Sequence, residues 1–405
     1  NHMGISGAAN AWWCDVLENG PSSICAEFFD IDWDPPKQGL QNRVLLPILG
    51  KQYGDALEAG EIQLVWEDGR FLVAYFDHRL PVGPKTLVPL LEIVGSMSGL
   101  AESDADRQEL ESVLSAMRHL PAQSERSPAA RRERAFEKEV IKRRLRALVE
   151  RRPEVEGAVE EALLYFNGNS DDPTSLDVLD EFLGAQSYRL ASWQVASEEI
   201  NYRRFFDENA LAAIRMEEPD VFERSHAYLF DLIDSGRVQA LRLDHTDGLY
   251  DPLGYFETLQ RRFTPPEVRA DVGPDDQARA LPLLVEKILE KGERLPAAWP
   301  VDGTTGYEFG AAVSGLWVDG DAQPAFTKIF EDFTGDERSF EEHVYDAKIQ
   351  ILRYSLASEV NMLARTLERI ASKNRLWRDF TLISLTRALS EVLVAFTVYR
   401  SYLRG

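Results

Sequence analysis

The sequence predicts an α/β fold, and three observations carry that reading. A strand, a helix and a second strand follow one another through residues 237–290, the order of a βαβ unit whose strands lie parallel and side by side. Residues 101–235, and again those from about 311 to 405, are dominated by apolar positions at helical spacing. Residues 1–100 are rich in Trp, Pro and Gly and hold short alternating runs, which describes a loop-rich, β-containing module.

Size and composition suit such a fold. The 405 residues can bury a sizeable core, and 44% hydrophobic with 28% charged residues argues for a soluble globular protein over a disordered one. Against 68 Asp and Glu stand 45 Lys and Arg, a net charge of −23. Phosphate backbones and anionic lipid repel such a chain, which argues against nucleic-acid and membrane partners unless a local basic patch intervenes. Residues 131–152 form one, with ten Lys or Arg against four Glu. There Phe136, Val140, Ile141, Leu145 and Leu148 recur at helical spacing and Glu139 precedes Arg143 by four, so the expectation is a half-buried helix with a solvated basic face. Two cysteines, Cys14 and Cys25, imply no disulfide framework and fit a reducing compartment. Without a charged-then-apolar leader or an apolar run of ~18 residues, the expected location is the cytoplasm.

Along the chain, Asp68-Gly69 between "EIQLVWE" and "RFLVAYF" reads as a hairpin turn. "PAQSERSP" at 121–128 reads as a loop between helices. Pro219 and "VFERSHAYLFDLIDSG" give a helix stopping at Gly236. The βαβ unit follows: "VQALRLDH", the helix in "GYFETLQRRF", a Pro/Asp-rich loop over 264–281, and "LPLLVEKIL". Leu356, Val360, Leu363, Leu367 and Ile370 then form a stripe expected to be a core face. The division is 1–100, 101–235 as a helical insertion, 236–310 with the βαβ unit, and 311–405 as a helical region; no internal repeat is present.

The ends of the two strands hold the chemistry. Residues two apart in a strand share a face, so Arg242 and Asp244 point the same way. A guanidinium beside a carboxylate keeps it ionised, which suits a nucleophile, although an ordinary structural ion pair has the same spacing. Glu286 lies in an apolar strand, where burial and a nearby carboxylate favour the protonated form of a general acid; pairing with Lys287 is the plainer alternative. Neighbouring parallel strands are ~4.8 Å apart, so two carboxylates at their ends can stand ~5–5.5 Å apart, the separation used by retaining glycosidases. Other chemistries fare worse. The six histidines show no zinc spacing, and no phosphate-binding or nucleophile-elbow motif is present. Asp30, Asp32 and Asp34 imitate a calcium loop, but Pro35 and Gln41 stand where that loop needs Gly and Glu.

The strings "LRLDHTDGLYDPLGYF", "YRLASWQVASEEINYRRFF", "NAWWCDVLENGPSS" and "WPVDGTTGYEF" together resemble the maltooligosyltrehalose synthases, a family of the alpha-amylase superfamily. The resemblance implies a partial (β/α)8 barrel with a loop-rich β-containing module and large helical insertions, in which 236–310 holds strands four and five. It implies an isomerase that acts without a cofactor or metal, turning the reducing-end α-1,4 bond of a maltooligosaccharide into an α,α-1,1 bond. Asp244 matches the nucleophile, Arg242 its partner and Glu286 the acid/base. "NHM" resembles the end of the third barrel strand and continues unbroken into "GISGAANAWW", so it reads as native sequence, with His2 as a sugar contact and His245 as another. Trp12, Trp13, Trp193, Tyr250, Trp299 and Tyr307 lie in or near the matched strings. The family's third carboxylate belongs to a His-Asp-Thr-Lys-Arg motif not found here, so the chain resembles an internal portion of the enzyme. A related α-glucan hydrolase or 4-α-glucanotransferase, and an inactive glucan-binding fragment, remain as alternatives.

Overall fold

A computed structural model of the chain describes residues 1–7, 9–264 and 280–403, so most of the Pro/Asp-rich loop expected over 264–281 lies outside the described residues. The chain divides into two units. One comprises His2–Ala213 with Tyr354–Met362, and the other Asn1, Ile214–Arg353 and Leu363–Gly405.

The first unit holds eight of the described strands: β1 (His2–Gly4), β2 (Val44–Leu49), β3 (Ile62–Glu67), β4 (Arg70–Tyr75), β5 (His78–Pro81), β6 (Tyr188–Ser192), β7 (Arg204–Phe205) and β8 (Glu208–Ala213). β2 and β6 pair in parallel; β3, β4 and β5 form an antiparallel meander; β1 pairs antiparallel with β8, which also pairs with β7. The hairpin expected at Asp68-Gly69 forms with both turn residues at positive φ, 51° and 75°, the two-residue turn that matches strand twist. Asn201, from one of the quoted strings, is a buried organiser. Its side chain accepts from the Leu45 amide at 2.9 Å and donates to the carbonyls of Asp32 and Arg43 at 2.9 and 2.8 Å. Asp30 and Asp34, two members of the calcium-like triplet, pair with Arg203 and Arg126.

The basic helix runs Pro128–Arg151, begun by Ser127 and the proline. Its solvated basic face is only partly realised. Arg134 and Lys138 are buried in phase with Ile141, Leu145 and Leu148, while Phe136 is exposed. The partners explain this. Arg134 donates to Asn19 Oδ1 at 2.9 Å, and the Lys138 ammonium sits 2.5 Å from Asp15 and 2.7 Å from Glu18 on the helix Ala11–Asn19. Burial pulls the lysine's pKa down, but Glu18 and Asp15 outweigh it and hold it above its ordinary value.

The second unit is built on three parallel strands, β9 (Leu241–Leu243), β10 (Leu283–Val285) and β11 (Gly303–Thr304), with β10 central. β9, the helix Pro252–Phe263 and β10 form the expected βαβ unit. Among the described residues the parallel strands do not close into a barrel. The helices Pro219–Asp234 and Pro252–Phe263 supply Phe222, Phe230, Phe256 and Leu259 to a core with Leu283, Val285, Trp299 and Val301. Gly236, at φ 69°, takes the left-handed position just past the first of these helices, and the Arg237 amide reaches back to the Leu232 carbonyl at 2.9 Å.

The C-terminal stripe differs from expectation. In the helix Ala357–Ser372 the buried positions include Val360, Ala364 and Ala371, whereas Leu363, Leu367 and Ile370 are exposed. Phe309, Trp317, Phe326 and Phe333, in 307–334, are also exposed. Among the described residues no helix is long and apolar enough to cross a membrane.

His226 stacks on Phe222 at 4.5 Å and shares a 2.7 Å hydrogen bond with the Tyr255 hydroxyl. Burial pushes its pKa below the ordinary value, against the opposing pull of the Phe222 carbonyl. Below the unfolded value of about 6.5 the unfolded chain therefore binds more protons, and the stability present above that pH is lost as pH falls. Thermal unfolding of the parent and of His226→Gln at about pH 7.5 and about pH 5.5 should show the parent losing more stability on acidification; equal losses would exclude His226 as the source.

Candidate active site

Strand alternation sorts the residues of β10 and its extension. Leu283, Val285 and Lys287 turn to the buried side, while Leu284 and Glu286 turn to the other. Leu243 and Val285 are register partners, and the Glu286 amide donates to the Leu243 carbonyl at 2.8 Å. Asp244 and Glu286 therefore leave adjacent parallel strands at the same level and on the same face.

Donors surround the Glu286 carboxylate. Oε1 accepts from the Tyr307 hydroxyl at 3.3 Å and faces Arg242 Nη2 at 3.4 Å, and Oε2 accepts from the His245 amide at 3.2 Å. Its backbone lies in an apolar strand as expected, but the carboxylate emerges among polar groups. The guanidinium expected beside Asp244 instead makes its ion pair with Glu286. With the Arg242 side chain 59% exposed, that pair orients more than it stabilises. Tyr307, at the start of the helix Tyr307–Gly315, is a contributor to which the sequence assigned no role: the fold uses its hydroxyl.

After Asp244 the chain turns through His245, held at φ 44°. Its carbonyl accepts from Asn1 Nδ2 at 2.7 Å. Gly248 packs so closely that a Cβ there would stand 2.6 Å from His245 Nδ1 and closer still to Asn1 Nδ2, so any side chain would have to push these two groups aside. Asp251 caps the following helix by accepting from the Gly254 amide at 2.9 Å.

Behind this face Lys287 is buried, with its ammonium 3.0 Å from Glu293 and 3.5 Å from Asp247. Tyr402 donates its hydroxyl to Asp247, and Arg400 donates to the carbonyls of Asp247 and Leu249, both at 2.6 Å. The plainer alternative of a Glu286–Lys287 pair is thus not what forms. A lysine in phase with Leu283 and Val285 had to be buried and to find a counter-charge, a signal present in "LLVEKIL" and passed over.

His2 lies in the first unit on β1, its ring edge-on to Phe205 at 5.0 Å. Arg242, Asp244, His245 and Glu286 lie together in the second unit. Of the aromatics, Trp13 and Trp299 are core residues, whereas Trp193, Tyr250 and Tyr307 are exposed.

Lys287→Met keeps the volume but strips Asp247 and Glu293 of their buried counter-charge, which should cost about 3–5 kcal/mol. Urea denaturation measures the loss, and adding Asp247→Asn should restore part of it.

No protein-family model matches the chain. A Mycobacterium tuberculosis protein provisionally named maltooligosyl trehalose synthase is 27% identical over 372 residues, 92% of this chain and 34% of its own length. The solved maltooligosyltrehalose synthase of Arthrobacter ramosus superposes on the whole chain with a TM-score of 0.63 at 28% identity, over 37% of that protein. A glycosyltrehalose synthase from strain DSM5389 shares the fold at a TM-score of 0.64 and 23% identity. The chain is therefore similar, along nearly all its length, to a portion of these synthases, and spans about a third of the length of the curated relatives it matches.

Proposed function

We propose that this chain carries the nucleophile and the acid/base of an enzyme that converts the reducing-end α-1,4 bond of a maltooligosaccharide into an α,α-1,1 bond, on strands of a (β/α)8 barrel. The observation that carries this reading is the placement of Asp244 and Glu286 at the same level of neighbouring parallel strands, joined by the Glu286–Leu243 and His245–Glu286 hydrogen bonds. The likeness to trehalose-forming synthases supplies the substrate class. In this reading 236–310 are the fourth and fifth barrel strands, 1–100 and 101–235 the module and insertion around them, and the protein works in the cytoplasm without a cofactor.

Asp244 attacks the anomeric carbon while Glu286 gives its proton to the leaving oxygen, which leaves a glycosyl ester on Asp244 and a glucose. Arg242, the His245 amide and the Tyr307 hydroxyl aim the Glu286 carboxylate. His2 and His245 contact the sugar, as the resemblance implies. The retained glucose then turns; its anomeric hydroxyl yields a proton to Glu286 and attacks the glycosyl carbon. Double displacement retains the α configuration at the transferred carbon, and attack by the α anomer of the glucose completes the α,α-1,1 product. Holding that glucose makes the second attack effectively intramolecular and lets it outrun water.

Two observations support other readings. Exposure of Asp244 and Arg242 would favour water as acceptor, as in a hydrolase. The span of about a third of the curated relatives would suit a glucan-binding piece without turnover.

Maltopentaose separates the three. Isomerisation removes reducing ends with little glucose released; glucose rising in step with cleavage marks a hydrolase; saturable binding without any turnover marks an inert piece.

Where turnover is present, Asp244→Asn should lower it by about 10⁴-fold or more. Glu286→Gln should do the same on maltopentaose while sparing the first step on α-maltosyl fluoride, seen as a burst of fluoride, because that leaving group needs no proton. Near-parental turnover of maltopentaose by either variant would remove that residue from its role.

A further inference from the structure

A cavity suited to a ligand lies wholly within the first unit. It measures about 470 Å³, inside the ~300–1,000 Å³ range of small-molecule sites, and is walled by the helix Ala11–Asn19, the β3–β4 hairpin and the helix Pro128–Arg151. One part of the wall is a fixed array of charge. Lys138 is held between Asp15 and Glu18, and Lys142 reaches the other oxygen of Glu18 at 2.6 Å. Opposite chemistry comes from Trp66, half-buried and held edge-on by Phe71 with ring centres 4.7 Å apart.

The balance of this wall selects a class of ligand. Five carboxylates and four cations line the cavity, so neither an anion nor a cation gains from the site as a whole. Acceptors and donors stand close together, and a group that both donates and accepts satisfies them best. Much of the remaining wall is apolar, but the charged part holds water, so an occupant has to replace hydrogen bonds to water there and cover apolar surface beside it. A pyranose does so with its rim of hydroxyls and lays its apolar C–H face on an indole.

We propose that this cavity is a saccharide-binding site, distinct from the Asp244–Glu286 pair, that takes one or two neutral pyranose units with Trp66 as the platform and Asp15 and Lys142 as hydroxyl partners. Glu18 and Lys138 hold those partners in place. The site does not depend on the proposed reaction.

The test is titration of the 405-residue chain with maltose, followed by tryptophan fluorescence and saturation-transfer NMR. Saturable binding should appear, weaken about tenfold in Trp66→Ala, and persist within about twofold in the Asp244→Asn/Glu286→Gln double variant. Absence of saturable binding overturns the proposal. So does displacement of maltose by inorganic phosphate at lower concentration than by glucose, which would mark an anion site. Loss of binding in the carboxylate double variant with none in Trp66→Ala also overturns it and leaves the proposed function standing. Should Trp66→Ala fail to fold, Lys142→Met at the solvent edge takes its place: weakened maltose binding supports the site and unchanged binding refutes it.

Discussion

The Glu286 amide donates to the Leu243 carbonyl, and the His245 amide donates back to the Glu286 carboxylate. These two bonds interlock the ends of β9 and β10. The first fixes the register of the strands; the second fixes one carboxylate relative to the turn that carries the other. The core and the buried charges behind the strands support that arrangement. The Phe222–Phe256–Trp299 core presses the strands from one side, and the Lys287–Asp247–Glu293 charges hold the loop and the strand end from the same side. The opposite side is left to Arg242, Asp244, Glu286 and Tyr307.

The charges that crowd the end of β9 divide the labour between them. In "RLDHTDGLYD" every charged residue has a different task. Arg242 faces the neighbouring carboxylate, Asp247 balances a buried lysine, and Asp251 starts a helix. For the Asp244 side chain no ion pair or hydrogen bond is found among the described residues.

Much of this was readable in the sequence because short-range rules govern it. The hairpin at Asp68-Gly69, the stop at Gly236 and the βαβ order each depend on a few neighbouring residues. What escaped depends on partners far along the chain. Lys138 counts as surface charge until Asp15 and Glu18, more than a hundred residues away, are known to face it. The Arg242 fork could turn to either carboxylate, and strand spacing does not decide between them. The C-terminal stripe failed because helical periodicity names two adjoining faces, and the alanine face packed. Within the site, Glu286 was expected to be buried in its apolar strand; alternation along "LLVEKIL" would instead have turned it to the open side and buried Lys287.

The Lys138 cluster bears on how the first unit responds to heat. Taking ions out of water is costly chiefly because their hydration is so favourable when cold, and that hydration weakens as temperature rises. An ammonium buried between two carboxylates is thus handicapped least when hot, whereas contacts between aliphatic side chains gain little more from warming. The helix Pro128–Arg151 is fastened to the helix Ala11–Asn19 by a bond of the first kind, so this joint should be among the last parts of the unit to loosen on heating.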